Sequence, residues 1–217
     1  MKIKRKRTCV IISGSGSNLQ ALIDHCAFEQ SSAEIALVIS NKPCVFGLER
    51  AAKAGIPARV IEHNAYESRK SFEDALSEAL EEEAIELICL AGFLRILTAD
   101  FVEKWSGRIL NIHPSLLPAF PGLHVHEQAL AEGVRFSGCT VHFVDAGLDC
   151  GPIIIQAAVP VVPGDDADRL AARILQSEHV IYPRALEWVA SGRARLVDGR
   201  CQVDNPGHVP DALIWPA

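Results

Sequence analysis

The stretch Cys9-Val10-Ile11-Ile12-Ser13-Gly14-Ser15-Gly16-Ser17-Asn18-Leu19-Gln20 decides how the rest of the chain is read. Four apolar residues, three of them β-branched, predict a buried strand. The glycines interrupt it, and the spacing from Asn18 to Cys26 predicts a helix. Strand, Gly-rich turn and helix start together predict the first unit of an open α/β sheet, where ligands sit beyond the carboxyl ends of strands. A helix start offers free N–H groups and partial positive charge to an anion, and glycines let the backbone approach it. Leu19 stands where a dinucleotide fingerprint needs its third glycine, and no Gly-Lys-Ser/Thr follows. A dinucleotide site and a P-loop are therefore not expected. Two readings stay open on these residues alone: a cradle for a phosphate monoester, or a plain Gly-rich turn with a Ser or Asn cap.

Working outward, strands are predicted at Ile35 to Ile39, Arg59 to Ile61, Leu87 to Ala91 and Arg108 to Ile112. Helices are predicted at Phe46 to Ala54, Ser68 to Glu83 and Ala99 to Trp105. In the second of these, Phe72, Leu76 and Leu80 share one face. This alternation implies an α/β fold, a mostly parallel twisted sheet with helices on both faces. The rhythm then changes. Pro114, Pro118, Pro121 and Gly122 make His113 to His126 a long ordered loop. Thr140 to Val144 and Ile153 to Val161 read as an antiparallel pair. Asp165 or Asp166 would cap a helix running to about Ala190, bent by Pro183. The tail from Ser191 holds a hairpin-like stretch and Pro-rich ends. With no linker or repeat, residues 1–217 read as a single domain.

Composition bounds the function. The 217 residues carry a net charge of −6, the wrong sign for a bulk nucleic-acid binder. No apolar run reaches the length of a membrane span. Seven cysteines without a Cys-x-x-Cys pair fit a reduced, cytoplasmic protein. Lys2, Lys4, Arg5, Lys6 and Arg7 read as a solvated leader to the first strand.

The chemistry concentrates after the fifth strand. In Asn111-Ile112-His113-Pro114, alternation places Asn111 and His113 on one side of the strand end. A carboxamide there can donate to a developing oxyanion, and an imidazole can carry a proton or stabilise charge. Asp149 lies in a turn, Asp145 to Pro152, that can return an acid to the same sheet end. A carboxylate beside an imidazole favours its charged form. On local residues, Asp149 is equally readable as a turn former. His124, His126, His142, Cys139 and Asp149 match no zinc spacing, so no metal is expected.

Several segments then match one family in order: Ser13 to Gln20, Ser40-Asn41-Lys42, Phe46 to Ala51, Leu90 to Leu97, Leu110 to Pro118, Pro121 to His124 and Gly151-Pro152-Ile153. From about residue 8 to 190 the chain resembles the phosphoribosylglycinamide formyltransferases. The resemblance implies a Rossmann-like formyltransferase fold. It also implies transfer of a formyl group from the co-substrate 10-formyltetrahydrofolate to the amine of glycinamide ribonucleotide in purine biosynthesis, without a metal. By the same resemblance Asn111, His113 and Asp149 form the catalytic set. Gly16, Ser17 and Asn18 hold the phosphate, with Leu175, Gln176 and Ser177 beside Glu178, which reaches the ribose hydroxyls. Arg69, Leu94, Arg95, Ile96 and Leu97 line the folate site together with Asn111 and the loop Asp145, Ala146, Gly147, Leu148 and Asp149. Residues matching His124 and His142 lie near the site. Leu94 stands where the family often has Met. The basic start and the tail after Ser191 match poorly and are assigned no role.

Small-molecule substrates are the expected partners, with no nucleic acid and no membrane, in a monomer or homodimer. Two relatives share the Asn/His/Asp chemistry. Methionyl-tRNA formyltransferase carries an additional tRNA domain, and formyltetrahydrofolate deformylase usually has an N-terminal regulatory domain. A non-catalytic ligand-binding domain is a third reading, against which the intact catalytic set argues.

Overall fold

A computed structural model describes residues 4–207, 213, 215 and 216. The chain order is β1 (Lys6–Ile12), α1 (Ser17–Cys26), β2 (Ala33–Ser40), α2 (Phe46–Lys53), β3 (Ala58–Val60), α3 (Arg69–Glu82), β4 (Leu87–Ala91), α4 (Ala99–Lys104) and β5 (Ile109–His113). It continues through α5 (Val125–Ala131), β6 (Phe136–Phe143), β7 (Ile153–Pro160), α6 (Ala167–Ala190), β8 (Ala194–Val197) and β9 (Arg200–Val203). Seven strands form one sheet in the order β3-β2-β1-β4-β5-β6-β7, and β8 pairs with β9 separately. The first five strands run parallel, and β6 and β7 are antiparallel additions.

Both faces of the sheet are covered, which is why β4 and the Cys9–Ile12 half of β1 are apolar at every position. Val10 and Ile12 of β1 face a core built with α1, α2, α5 and α6. Cys9 and Ile11 face the opposite core, built with α3 and α4. Tyr182 of α6 is fully buried, and its hydroxyl donates toward the carbonyls of Leu90 (3.0 Å) and Leu110 (3.1 Å). The long helix is thereby tied to both β4 and β5. Asp166 caps α6 by accepting from the Arg169 N–H, and Pro183 lies inside the helix.

Two expectations need correction. The basic start is a solvated lead-in only in part: Lys4 and Lys6 are exposed, but β1 already begins at Lys6. Arg5 donates to the carbonyl of Ala33, Arg7 to that of Glu83, and Lys6 pairs with Glu86. Lys2 lies outside the described residues, as do 208–212, 214 and 217 of the tail. The loop after His113 also ends earlier than expected, because α5 starts at Val125. The surrounding prolines hid a short helix that buries Val125 and Ala129.

Strand order reverses at β1, whose neighbours are β2 and β4. The turn after β1, the loop after β4 and the end of β5 therefore border one crevice at the sheet's carboxyl edge.

Candidate active site

The first wall of the crevice is the turn Ser13 to Gly16. Gly16 precedes α1 with φ +69°, and no side chain caps the helix. A Cβ at Gly16 would lie 2.7 Å from the Cα of Gly47, so the missing side chain lets α2 press against the turn. The Gly47 N–H donates to the Gly14 carbonyl at 3.1 Å, and Arg50 Nε donates to the Ser15 carbonyl at 2.9 Å. Gly14 has only open space where its side chain would be. Asn18 is buried and donates from Nδ2 to Glu178 Oε2 at 2.6 Å, while its Oδ1 has no hydrogen-bond partner. Glu178 is only 7% exposed. Burial pushes its carboxyl pKa up, against the Asn18 hydrogen bond and the nearby His113 charge. Ser177 and Leu175 are half-buried on α6, and Gln176 is exposed.

The centre lies at the end of β5. Asn111 is paired in antiparallel register with His142 of β6, which brings the two side chains together. His142 Nδ1 lies 2.9 Å from the Phe143 carbonyl, which can only accept, so this nitrogen carries the proton. The neutral ring's Nε2 is then free to accept from Asn111 Nδ2 at 3.2 Å. Burial lowers the His142 pKa, outweighing the Phe143 carbonyl and Asp149, and so favours this neutral state. Asn111 keeps a second amide hydrogen for another acceptor.

His113 is 5% exposed. Its Nε2 donates to the Phe120 carbonyl at 2.9 Å, and its Nδ1 lies 3.4 Å from Asp149 Oδ2. A ring protonated on both nitrogens satisfies both acceptors at once. Asp149 adopts a left-handed φ of +52° and also accepts from the Gly122 N–H at 2.9 Å. Its other oxygen is 3.9 Å from His142 Nε2. The structure thus joins residues 36 positions apart, and Asn111, His113, His142 and Asp149 form one cluster.

The second wall is made of loops. Leu94 and Ile96 are 70% and 60% exposed, whereas Leu97 is buried in the core with Phe72. The open apolar side chains in this segment are therefore Leu94 and Ile96. The Leu94 N–H donates to Ser13 Oγ at 3.3 Å, linking the two walls. Arg95 lies over the Phe72 ring, and with Arg69, Tyr66 and His63 these residues line a hollow of about 280 Å³. Ala146, Gly147 and Leu148 are exposed, and Asp145 turns its loop by accepting from the Gly147 N–H.

His124 is exposed, interacts with Glu127 at 3.5 Å, and makes no bond to the central cluster. Among the described residues no three His, Cys, Asp or Glu side chains are arranged to hold a metal. Sequence reasoning missed the Phe120 carbonyl and the Gly122 N–H that fix His113 and Asp149. Backbone groups leave no residue-type signal. It also missed the backing of the Gly16 turn by Gly47 and Arg50, although both fall within a motif that resembled the family.

Residues 6–186 match the formyl transferase family, a class of group-transfer enzymes to which the chain belongs. Within that family it is similar to phosphoribosylglycinamide formyltransferase of Escherichia coli. The two are 46% identical over 196 residues, which is 90% of this chain and 92% of that one. The crystal structure of glycinamide ribonucleotide transformylase 1 from Symbiobacterium toebii superposes with a TM-score of 0.90 at 48% identity, covering 93% of this chain and 95% of that one. The trifunctional purine biosynthetic protein adenosine-3 of Drosophila pseudoobscura pseudoobscura is 58% identical over 212 residues, 96% of this chain. The chain spans only 15% of that protein's length.

Proposed function

We propose that the protein transfers the formyl group of 10-formyltetrahydrofolate to the amine of glycinamide ribonucleotide, as a cytoplasmic step of purine biosynthesis. The observation that carries this reading is the cluster in which His113 Nδ1 lies 3.4 Å from Asp149 beside Asn111. The neutral glycinamide amine attacks the formyl carbon, forming a C–N bond and a tetrahedral oxyanion. The free N–H of Asn111 and the His113 imidazolium stabilise that oxyanion. Asp149 holds the imidazolium and passes the amine proton, through water, to the folate nitrogen as its bond to carbon breaks. No covalent enzyme intermediate is needed, and alignment of two bulky substrates supplies much of the acceleration.

The uncapped start of α1 at Ser17 and Asn18 suits the phosphate. Glu178 accepts from the ribose hydroxyls, and the unpartnered Asn18 oxygen faces a need for a donor that such a hydroxyl meets. Leu94 and Ile96 give the pterin an apolar surface, and Arg69 and Arg95 meet the anionic end of the folate.

The test mixes purified protein with 10-formyltetrahydrofolate, with and without glycinamide ribonucleotide. Consumption that requires the ribonucleotide is expected. Equal consumption without it would make the protein a hydrolase, and none at all would make it a binding module.

A further inference from the structure

We propose that Glu73 is a positioning residue for the folate half of the site. Its carboxylate holds the loop from Gly92 to Thr98 in the shape that receives the pterin. The inference rests on the folate assignment made above.

Glu73 lies on α3 and is only 4% exposed. A carboxylate that deep needs its oxygens satisfied by donors. Both are satisfied by a single residue. Oε1 accepts from the Thr98 N–H at 2.8 Å, and Oε2 accepts from the Thr98 hydroxyl. Thr98 in turn caps α4, its Oγ1 accepting from the Phe101 N–H at 3.4 Å. The loop is thus closed at its far end by a charge-assisted pair reaching across from another helix. Near its start it is held by Leu94 N–H on Ser13 Oγ, and between the two Leu97 is sunk into the core. What remains free is the segment bearing Leu94 and Ile96.

The same helix grips the loop a second time, where Arg95 lies 5.7 Å from the centre of the Phe72 ring. Arg69 and Phe72, within about one turn of Glu73, line the 280 Å³ hollow. The hollow and the exposed loop are therefore aligned through α3, and Glu73 is the buried polar contact between them. A helix cap alone would be met by Thr98. The added carboxylate fixes where that cap stands relative to α3.

The experiment measures both Michaelis constants, with calorimetric folate binding, for Glu73→Leu, Thr98→Val, Thr98→Ser and Leu94→Glu. Glu73→Leu should raise KM for 10-formyltetrahydrofolate about tenfold or more, the scale of one hydrogen bond to a charged group. KM for the ribonucleotide should stay unchanged. Thr98→Ser keeps both bonds and should match the parent, whereas Thr98→Val should shift folate KM in the same direction as Glu73→Leu. If Glu73→Leu does not fold, Thr98→Val reads the same contact. Parallel increases in both Michaelis constants, or an unchanged folate KM, would overturn the proposal. Leu94→Glu separates the two failures. If it weakens folate binding while the Glu73 and Thr98 variants do not, the positioning role alone falls. If it too binds folate normally, the folate assignment falls with it.

Discussion

The two walls of the crevice are built on opposite plans. At the turn after β1 the polar groups are sunk into the framework: Asn18 and Glu178 are buried and bonded to each other, and Gly16 is in contact with α2. At the loops after β4 and β6 the side chains offered to a ligand stand in solvent, with Leu94, Ile96 and Leu148 all exposed. The difference suits what each wall is proposed to hold. An anion leaving water needs dipoles already aimed at it, so its donors belong on elements whose positions packing fixes. A flat apolar ring system needs area more than aligned bonds, and loops can supply area. The Asn111, His113 and Asp149 cluster, the proposed catalytic centre, sits between the walls.

The largest expected effect lies at that centre. His113→Ala should slow transfer by about 10²–10⁴-fold, the range of a lost acid–base or electrostatic group, while both substrates still bind. Asp149→Asn should also slow it, but in the His113→Ala background should cost little more, since the two act as a unit. A double-mutant cycle on the transfer rate checks this. Fully additive losses would separate Asp149 from His113 and leave its loop to the folate wall alone.

Next come two substitutions that test the walls against each other. A Cβ at Gly14 has no protein atom within 4 Å, so any loss that Gly14→Ala causes reports on a ligand pressed against the turn. It should weaken ribonucleotide binding by about tenfold or more, the scale of lost charge-assisted bonds, and spare folate. Leu94→Glu should do the reverse. Calorimetry in which either variant weakens both ligands equally would erase the distinction between the walls. Gly16→Val is the poorer probe, because φ +69° and the Gly47 contact make it a test of folding.

The smallest effect concerns stability. The folded pKa of Glu178 is raised, so its contribution favours the fold below the ordinary carboxyl range and is lost as pH rises through the folded value. At neutral pH the buried charge opposes folding. Glu178→Gln should therefore melt higher while binding the ribonucleotide less well. About 1 kcal/mol registers as roughly 2–4 °C in a chain of this size. A lower melting temperature at pH 7 would show that the charge is better compensated than its burial implies.

The parallel half of the fold was legible because both faces of the sheet are covered. Strands such as Cys9 to Ile12 then read as unbroken apolar runs, and α3 as a clean stripe of Phe72, Leu76 and Leu80. The α5 helix was not legible, since prolines and glycines before it mask a two-turn element. Asn111 and His113 were visible as a pair because strand alternation operates over two residues. Their meeting with Asp149 was not, because it depends on the β5–β6 register and on a backbone N–H at Gly122. Glu73 was invisible as a site residue. It lies among the charged residues of α3, and nothing in the sequence says that it faces inward toward Thr98.

The contact between Gly16 and Gly47 makes the proposed phosphate-binding turn a poor candidate for transplantation. Residues 13–18 grafted into another α/β sheet would bring the local conformation without the neighbour that keeps it. A second glycine, on a helix 31 positions away in the chain, would have to travel with them. A change at the start of α2 would reshape the turn while leaving residues 13–18 untouched in sequence. The unit that keeps its shape is the docked pair of segments.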